Sequence, residues 1–541
     1  MKNYTHSRRQ TLLSGKSLAS VFFLLIAWLV FAWNTGDAWA HGKASASPDK
    51  AKVEASAPAG PATHHHKDQP AAKLGATVYK HMCVFCHGID GNGDGKATSY
   101  LYPWPRDFRK GIFKNRSTPS GSLPLDKDIF ETIENGIPGT AMPGWGVSLS
   151  EDEIWAVIEH IKTFSDRFAN ESRKAPVPLH NLPGAKGGSV ENGKIIFGEM
   201  RCVRCHGTDL KGQGPIADKL FDIWDHRVFV YDLTNPNTYK WGFEQRDIYK
   251  TLTTGIDGTP MKSYSHLTSE ERWDIAAFVE SKINIASLQK AEFEIDLYPV
   301  KSNKDLLDIG PESPLWDDVA ASEVRLVPLN ARRNPINRIK FQSLINDEAI
   351  AIRVEWDDKT ANRSSSRHQD FKDAVAIEFA LGDVLLHTHG HNEPFFGMGN
   401  RGKPVNIWQW RADWQTEIET KKKLEYATKG MDMDVMIFGG EVNPVESLNP
   451  FRDVPVEELN AEGFGTLTPQ PNTKQNVRGK GVWKDGKWQV VFYRTLESMN
   501  RWDIKFSKEK PALIAFAVWD GEEQDRNGRK VVSMWQRLNL P

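Results

Sequence analysis

Nothing constrains this 541-residue chain more than a pentapeptide it carries twice, Cys83-Val84-Phe85-Cys86-His87 and Cys202-Val203-Arg204-Cys205-His206. C-x-x-C-H is the attachment site of a c-type haem. Two thiols add to the haem vinyl groups, and the two-residue spacer sets their separation. The adjacent His87 or His206 then becomes an axial iron ligand. One copy could be a zinc or redox Cys-x-x-Cys beside a chance His; two copies with matching downstream features argue against chance. The chain has four Cys in all, so none is left for a disulfide, an iron–sulfur cluster or a structural zinc site.

The downstream features can be counted. Met142 follows Cys83 by 59 residues, and Met261 follows Cys202 by the same 59. Their surroundings also repeat, as G-I-P-G-T-A-Met142-P-G-W and G-I-D-G-T-P-Met261-K-S-Y. A thioether on a Gly/Pro-rich loop suits the second face of a haem. His/Met ligation favours ferrous iron and raises the potential. A lone Met reads more simply as core packing, but equal spacing and shared loop context favour ligation here.

The amino terminus reads as an export signal. Lys2, Arg8 and Arg9 precede an apolar run from Val21 to Trp33, and Ala38-Trp39-Ala40 supplies an A-x-A cleavage site. The run is short against the roughly 20 apolar residues a membrane span needs. Residues 1–40 are therefore expected to be a signal peptide, with an uncleaved anchor and membrane association as the lesser reading. Export to the periplasm agrees with the motifs, because c-type haem is attached outside the cytoplasm.

Residues 41–72, rich in Ala, Pro, Ser, Lys and His, show no hydrophobic period and read as a disordered linker. Within it, His64-His65-His66 reads as a solvated tract. The first haem domain is expected over 73–170. Gly75 and Tyr79 precede its motif at helical spacing, and Ser150-x-x-Glu153 is a capping box opening a helix with Ile154, Val157, Ile158 and Ile161 on one face. The loop Asp90–Gly95 looks like the start of a calcium loop. Leu101 stands at its twelfth position, where a bidentate Glu is required, so it reads as a Gly-rich turn. A linker over 171–189 leads to a second haem domain over 190–288, where Gly193, Phe197 and the box Thr268-x-x-Glu271 repeat the pattern. Both domains resemble class I cytochromes c, in which terminal helices cross beside the haem.

Beyond a linker at 289–314 the texture changes to alternation of period two. Strands are expected at 324–329, 339–344, 349–356, 374–380, 405–410, 488–493, 513–518 and 531–538, with Asp485-Gly486 as a hairpin turn. The fold class is multidomain: two small all-α cytochrome c domains followed by an all-β antiparallel sandwich over 315–541.

Several phrases in this last domain resemble the haem-b-binding γ subunits of the ethylbenzene dehydrogenase family. They are P-F-F-G-Met398-G-N, V-N-I-W-Q-W, A-F-A-V-W-D-G and G-R-Lys530-V-V-S-M-W. The resemblance implies a sandwich holding one non-covalent haem b between Met398 and Lys530. It also implies partners: a molybdenum catalytic subunit and an iron–sulfur subunit, as in nitrite oxidoreductases, chlorate, selenate and nitrate reductases and dimethyl sulfide dehydrogenases. A soluble cytochrome or a membrane respiratory complex would take the other end of the relay. From the residues alone, Met398 also reads as a packed loop Met and Lys530 as a solvated charge. His387, His389 and His391 alternate along one side of an extended segment. They read as loop histidines near the haem or a partner surface, with a metal site or an alternative haem ligand as rivals.

Taken together, two covalent haem c groups and one haem b imply an electron-transfer protein rather than an enzyme on its own. A net charge of −1 gives no hint of nucleic acid. Two rivals remain at this level: a dihaem c peroxidase, and a dihaem cytochrome whose sandwich binds some ligand other than haem.

Overall fold

The computed structural model describes residues 71–179, 188–288, 292–364, 369–382, 384, 386, 393–420 and 453–541. The export segment, the His64–His66 tract and His387, His389 and His391 lie outside the described residues.

In the first domain α1 (Ala71–Val78) runs through a π-helical turn, Tyr79–Cys83, into α2 (Val84–His87). Then come α3 (Asp126–Asn135), α4 (Glu151–Lys162) and α5 (Arg167–Asn170). The capping box forms as the sequence requires. Ser150 N donates to Glu153 Oε2 at 2.9 Å, and Ser150 Oγ accepts from Glu153 N at 3.4 Å. Such a cap stabilises a helix by about 1 kcal/mol. The α4 residues Ile154, Val157, Ile158 and Ile161 are buried against α1. The two helices cross at Gly75, where an added Cβ would overlap the Ala156 carbonyl; only Gly permits that approach.

The second domain repeats the arrangement with α6 (Val190–Glu199), α7 (Val203–His206), α8 (Gln245–Thr254) and α9 (Ser269–Glu280). Its crossing glycine is Gly193, set against the Asp274 carbonyl. Its capping box closes through Thr268 N to Glu271 Oε2 at 2.8 Å and Glu271 N to Thr268 Oγ1 at 3.1 Å.

The third domain begins earlier than the alternation suggests. Its strands are β1 (Asp296–Leu297), β2 (Val300–Lys301), β3 (Ser322–Arg325), β4 (Val327–Pro328), β5 (Arg338–Ile345), β6 (Ala349–Asp357), β7 (Ala374–Ala380) and β8 (Val405–Arg411). After helix α10 (Ala412–Thr420) follow β9 (Val456–Ala461), β10 (Thr468–Pro469), β11 (Arg478–Lys484), β12 (Lys487–Thr495), β13 (Ala512–Trp519), β14 (Val531–Val532) and β15 (Gln536–Leu538). One sheet has the order β1-β15-β13-β7-β8-β9-β10, with β14 on β13 and β4 on β14. The other has the order β11-β12-β6-β5-β2, with β3 on β5. Inward residues such as Ile352, Trp356, Ile377, Trp408, Phe492 and Phe516 fill the space between the sheets.

Two features depart from the expected antiparallel sandwich. β1 pairs with β15 and β2 with β5 in parallel, so each sheet is mixed. Both strands come from 289–314, expected as a linker; Leu306 and Ile309 of that stretch are buried as well. Strands this short carry too little periodicity to stand out in a sequence.

The outer face of the first sheet is not left to solvent. Alternation places Ala374, Ala376 and Glu378 of β7 on the face opposite Val375 and Ile377. The first cytochrome domain covers that face, and its core forms one apolar cluster with Ala374, Ala376, Ile407 and Leu459. Backbone bonds tie the two: Tyr102 N donates to Leu329 O at 2.9 Å, and Ala331 N donates to Tyr102 O at 2.6 Å. The first domain also holds the second. Arg116 pairs with Asp257 at 2.8 Å and donates to Thr254 O at 2.6 Å, and Tyr231 donates to Gly139 O at 3.1 Å.

Candidate haem centres

Each C-x-x-C-H forms one helical turn closed by the Gly-rich stretch behind it. Gly93 N donates to His87 O at 2.9 Å and Gly95 N to Cys86 O at 3.2 Å. Gly212 N donates to His206 O at 2.8 Å and Gly214 N to Cys205 O at 3.1 Å. An added Cβ on Gly95 or Gly214 would overlap a carbonyl of the motif itself. This turn is what the calcium-like string Asp90–Gly95 builds.

Both motif histidines are half-buried bases held toward the neutral form. Desolvation pulls His87 and His206 down to about 4, outweighing every other influence. His87 stacks on Phe108 with ring centroids 4.5 Å apart, and its Nδ1 lies 3.1 Å from Arg106 O. A carbonyl can only accept, so Nδ1 carries the proton and Nε2 keeps a free lone pair. His206 Nδ1 is buried with no hydrogen-bond partner among the described residues.

The two Met loops match bond for bond. Ile137 N donates to Met142 O at 2.9 Å, as Ile256 N does to Met261 O at 2.9 Å. Thr140 Oγ1 donates to Ile137 O and accepts from Met142 N; Thr259 does the same between Ile256 and Met261. Met142 borders the apolar cluster that also meets Cys83 and Cys86, and Met261 the one that meets Cys202. A thiol pair, a neutral imidazole and a thioether on one apolar cluster fit a covalent haem.

The third centre is built differently. A cavity of ≈ 520 Å³ lies on the outer face of the β13-β7-β8-β9 sheet. Met398 and Lys530, more than a hundred residues apart in sequence, both line it. The small residues Ala374, Ala376 and Ala517 make the room. Met398 has φ of +82°, a left-handed conformation unusual outside Gly. It is held there by its N–H to Glu378 Oε1 at 3.2 Å and by Gly463 N to its carbonyl at 2.8 Å. Lys530 is buried, with Nζ 4.8 Å from the Trp519 ring centroid. Burial lowers its pKa, and the nearby Glu378 carboxylate opposes that shift. Burial pushes Glu378 itself up to about 8, with the Lys530 charge acting the other way. A lysine held toward neutrality and a thioether in one cavity suit a haem iron, and the apolar floor suits the macrocycle. Glu378 is a residue that sequence reasoning misses. Its one signal is a lone carboxylate on the Ala face of A-V-A-I-E-F-A.

The first cytochrome domain closes this cavity. Ser99 and Tyr100 belong to its wall, whereas no described residue of the second domain does. Tyr100 stacks on Phe464 at 5.3 Å, and Phe85, inside the first C-x-x-C-H, stacks on Phe395 at 4.8 Å. Phe395 lies three residues before Met398.

Comparison with known protein families matches residues 313–531 to ethylbenzene dehydrogenase. Residues 70–161 match subunit III of cbb3-type cytochrome c oxidase, and residues 190–282 match cytochrome c. One ethylbenzene dehydrogenase family domain thus follows two cytochrome c domains in this chain. Three relatives are informative. A protein of Haloferax mediterranei named as a respiratory nitrate reductase haem subunit is 30% identical, over 42% of this chain and 66% of its own length. The chlorate reductase γ subunit of Ideonella dechloratans is 26% identical, over 42% of this chain and 79% of its own. The dimethylsulfide dehydrogenase γ subunit of Rhodovulum sulfidophilum is 26% identical, over 37% of this chain and 59% of its own. The first of these is thus covered over just under two thirds of its length. The two cytochrome c matches support covalent haem c at the two motifs.

Proposed function

We propose that this chain is the electron-relay subunit of an exported molybdoenzyme complex, working beside a molybdenum catalytic subunit and an iron–sulfur subunit. Met398 and Lys530 would hold one haem b; His87 with Met142 and His206 with Met261 would ligate the two covalent haems, bound through Cys83, Cys86, Cys202 and Cys205. When bound, the three haems would supply reversible one-electron redox chemistry. The observation that carries the reading is that two distant candidate ligands, Met398 and Lys530, line one cavity whose wall includes the first cytochrome domain. The relatives named above are haem or γ subunits of reductases and a dehydrogenase, which supports the partners.

The residues suggest an order. The Phe85–Phe395 stack brings the thioether side of the first domain against the Met398 loop. The second domain meets the first through Asp257 and Tyr231 and touches the sandwich where Arg333 donates to Lys211 O at 2.7 Å, but none of its described residues lines the cavity. The first domain is then the middle of the relay, and the second the end that meets a soluble cytochrome or a respiratory complex. A periplasmic location follows from the export signal. Among the described residues no helix is long and apolar enough to cross a membrane. A peroxidase would need an open iron position, and the matched Met loops argue against one.

The test is haem stoichiometry together with co-purification from the native source. Two haems resisting acid–acetone, one extracted, and molybdenum in the purified complex are the expected results. Two haems only, with a folded sandwich, would remove the third centre. Purification as a lone chain that turns over a substrate would overturn the relay.

A further inference from the structure

Between the two cytochrome domains lies a set of basic groups that the haem ligands do not use. Arg106 and Lys114 come from the first domain and Lys240 from the second. Arg106 lies over the ring of Trp224, a second-domain residue, at 4.3 Å, so its guanidinium sits at the domain boundary. Lys240 Nζ lies 4.2 Å from the ring of Tyr231, the residue that bonds the Met142 loop. The Arg106 charge acts on both lysines, which places the three together.

None of these cations forms an ion pair with a described residue; the Asp222 charge acts on Arg106 and Lys114, and the Asp107 charge on Arg106, without direct contact. Both acids are bound to nearer donors. Asp107 holds Arg109 through two bonds of 3.0 Å. Asp222 accepts from Trp224 N at 2.9 Å and His226 N at 3.0 Å. Burial accordingly pulls Lys240 down to about 7 and Arg106 to about 10, and moves Lys114 well below its ordinary value. Beside them the indole N–H groups of Trp224 and Trp241 are buried without an acceptor. Clustered, half-buried cations and buried orphan donors are costly unless an acceptor group with negative charge completes them.

Both haem crevices border this place. Arg106 supplies the carbonyl for His87, and Trp224 packs on Gly258 of the Met261 loop. Lys114 follows Phe113, which packs on the cluster meeting Cys83 and Met142; Lys240 follows Tyr239, which packs on the cluster meeting Cys202 and Met261. We infer that Arg106, Lys114 and Lys240, with the indole N–H groups of Trp224 and Trp241, form one carboxylate pocket shared by the propionates of both covalent haems. The inference rests on covalent haem in both domains. It makes the domain boundary an electrostatic link between two redox centres.

The test uses the full-length holoprotein with its haem propionates 13C-labelled at the carboxylates. Redox-difference infrared spectra are recorded across the potentials of the two c haems, for the native protein and for Lys240→Met. A nearby cation favours the reduced, more negative iron, so its loss lowers the potential. The expected result is a downward shift of both c-haem potentials and displaced labelled bands for both haems, with Lys240→Arg restoring each. A response confined to the second domain's haem, or none, overturns the shared pocket. Should Lys240→Met fail to fold, Trp241→Phe removes one donor and is read through the same bands: displacement for both haems supports the pocket, and anything less overturns it. Pyridine haemochrome analysis keeps the failures apart: a native protein without two covalent haems refutes the haem reading, not the pocket.

Discussion

His87 and His206 occupy the same place in two near-copies of one fold, yet their second ring nitrogens differ. His87 Nδ1 meets Arg106 O at 3.1 Å, while His206 Nδ1 has no partner among the described residues. The Met loops differ as pointedly. They share every hydrogen bond around the Met, but Pro138 of the first stands where the second has Asp257. Asp257 pairs with Arg116 and accepts from Ser120 Oγ at 2.8 Å and Gly121 N at 2.7 Å. The contrast separates two kinds of demand. What the iron needs is repeated; what the neighbour needs is not. The first domain packs against both the sandwich and the second domain, so its faces are specialised in both directions.

The comparison breaks most visibly at the helix crossings. Gly75→Val should prevent α1 from seating on α4, costing the first covalent haem and uncovering the cavity wall at Tyr100, so haem b should be lost too. Gly193→Val should cost the second covalent haem alone. Haem counts by pyridine haemochrome decide, and equal losses from both variants would sink the claim that the first domain is central.

Removing a thioether is the next largest change. Met142→Ala and Met261→Ala should each erase half of the sulfur-to-iron charge-transfer absorption. Each should lower one haem's potential by on the order of a hundred millivolts, part of the roughly 0.8 V that axial ligands span. Potentiometric titration of both variants assigns each potential to its domain.

Acid should separate the third centre from the other two. The Lys530 amine binds iron only when deprotonated, so proton and metal compete. Its pKa is lowered by burial, and occupancy should fall as pH drops through that lowered value and below. The covalent haems should stay attached throughout. A haem b band unchanged down to the pH at which the protein unfolds would argue against an amine ligand.

A smaller effect is expected at the domain boundary. Asp257→Ala leaves the fully buried Arg116 guanidinium unpaired and should destabilise the pair of domains by about 3 kcal/mol. Calorimetry should show it, and Pro138→Ala should be close to neutral. The smallest effect concerns the histidines. A carbonyl-bonded imidazole is the more basic ligand and favours ferric iron. The first haem should therefore lie below the second in potential, once the Met variants have assigned them.

The residues that carry local chemistry were legible without a structure. Thiol spacing, the His beside it, the Met at 59 residues and the two capping boxes each depend on neighbours within one turn, loop or helix, so their pattern survives in one dimension. Even the Gly-rich turn at Asp90–Gly95 was readable, because its bonds return to the motif just before it. The parallel pairing of β1 and β2, the burial of Lys530, the placement of Glu378 and the Phe85–Phe395 stack were not. Each joins segments far apart in the chain, and nothing in the period of β7 says that its polar-looking face will meet another domain instead of water. Three basic residues scattered over two domains look like solvated charge in the sequence; a shared interface makes them a cluster. Covalent and hydrogen-bond geometry within a turn is set by adjacent residues, whereas burial, and the electrostatics that follow from it, exists only once distant surfaces have closed on one another.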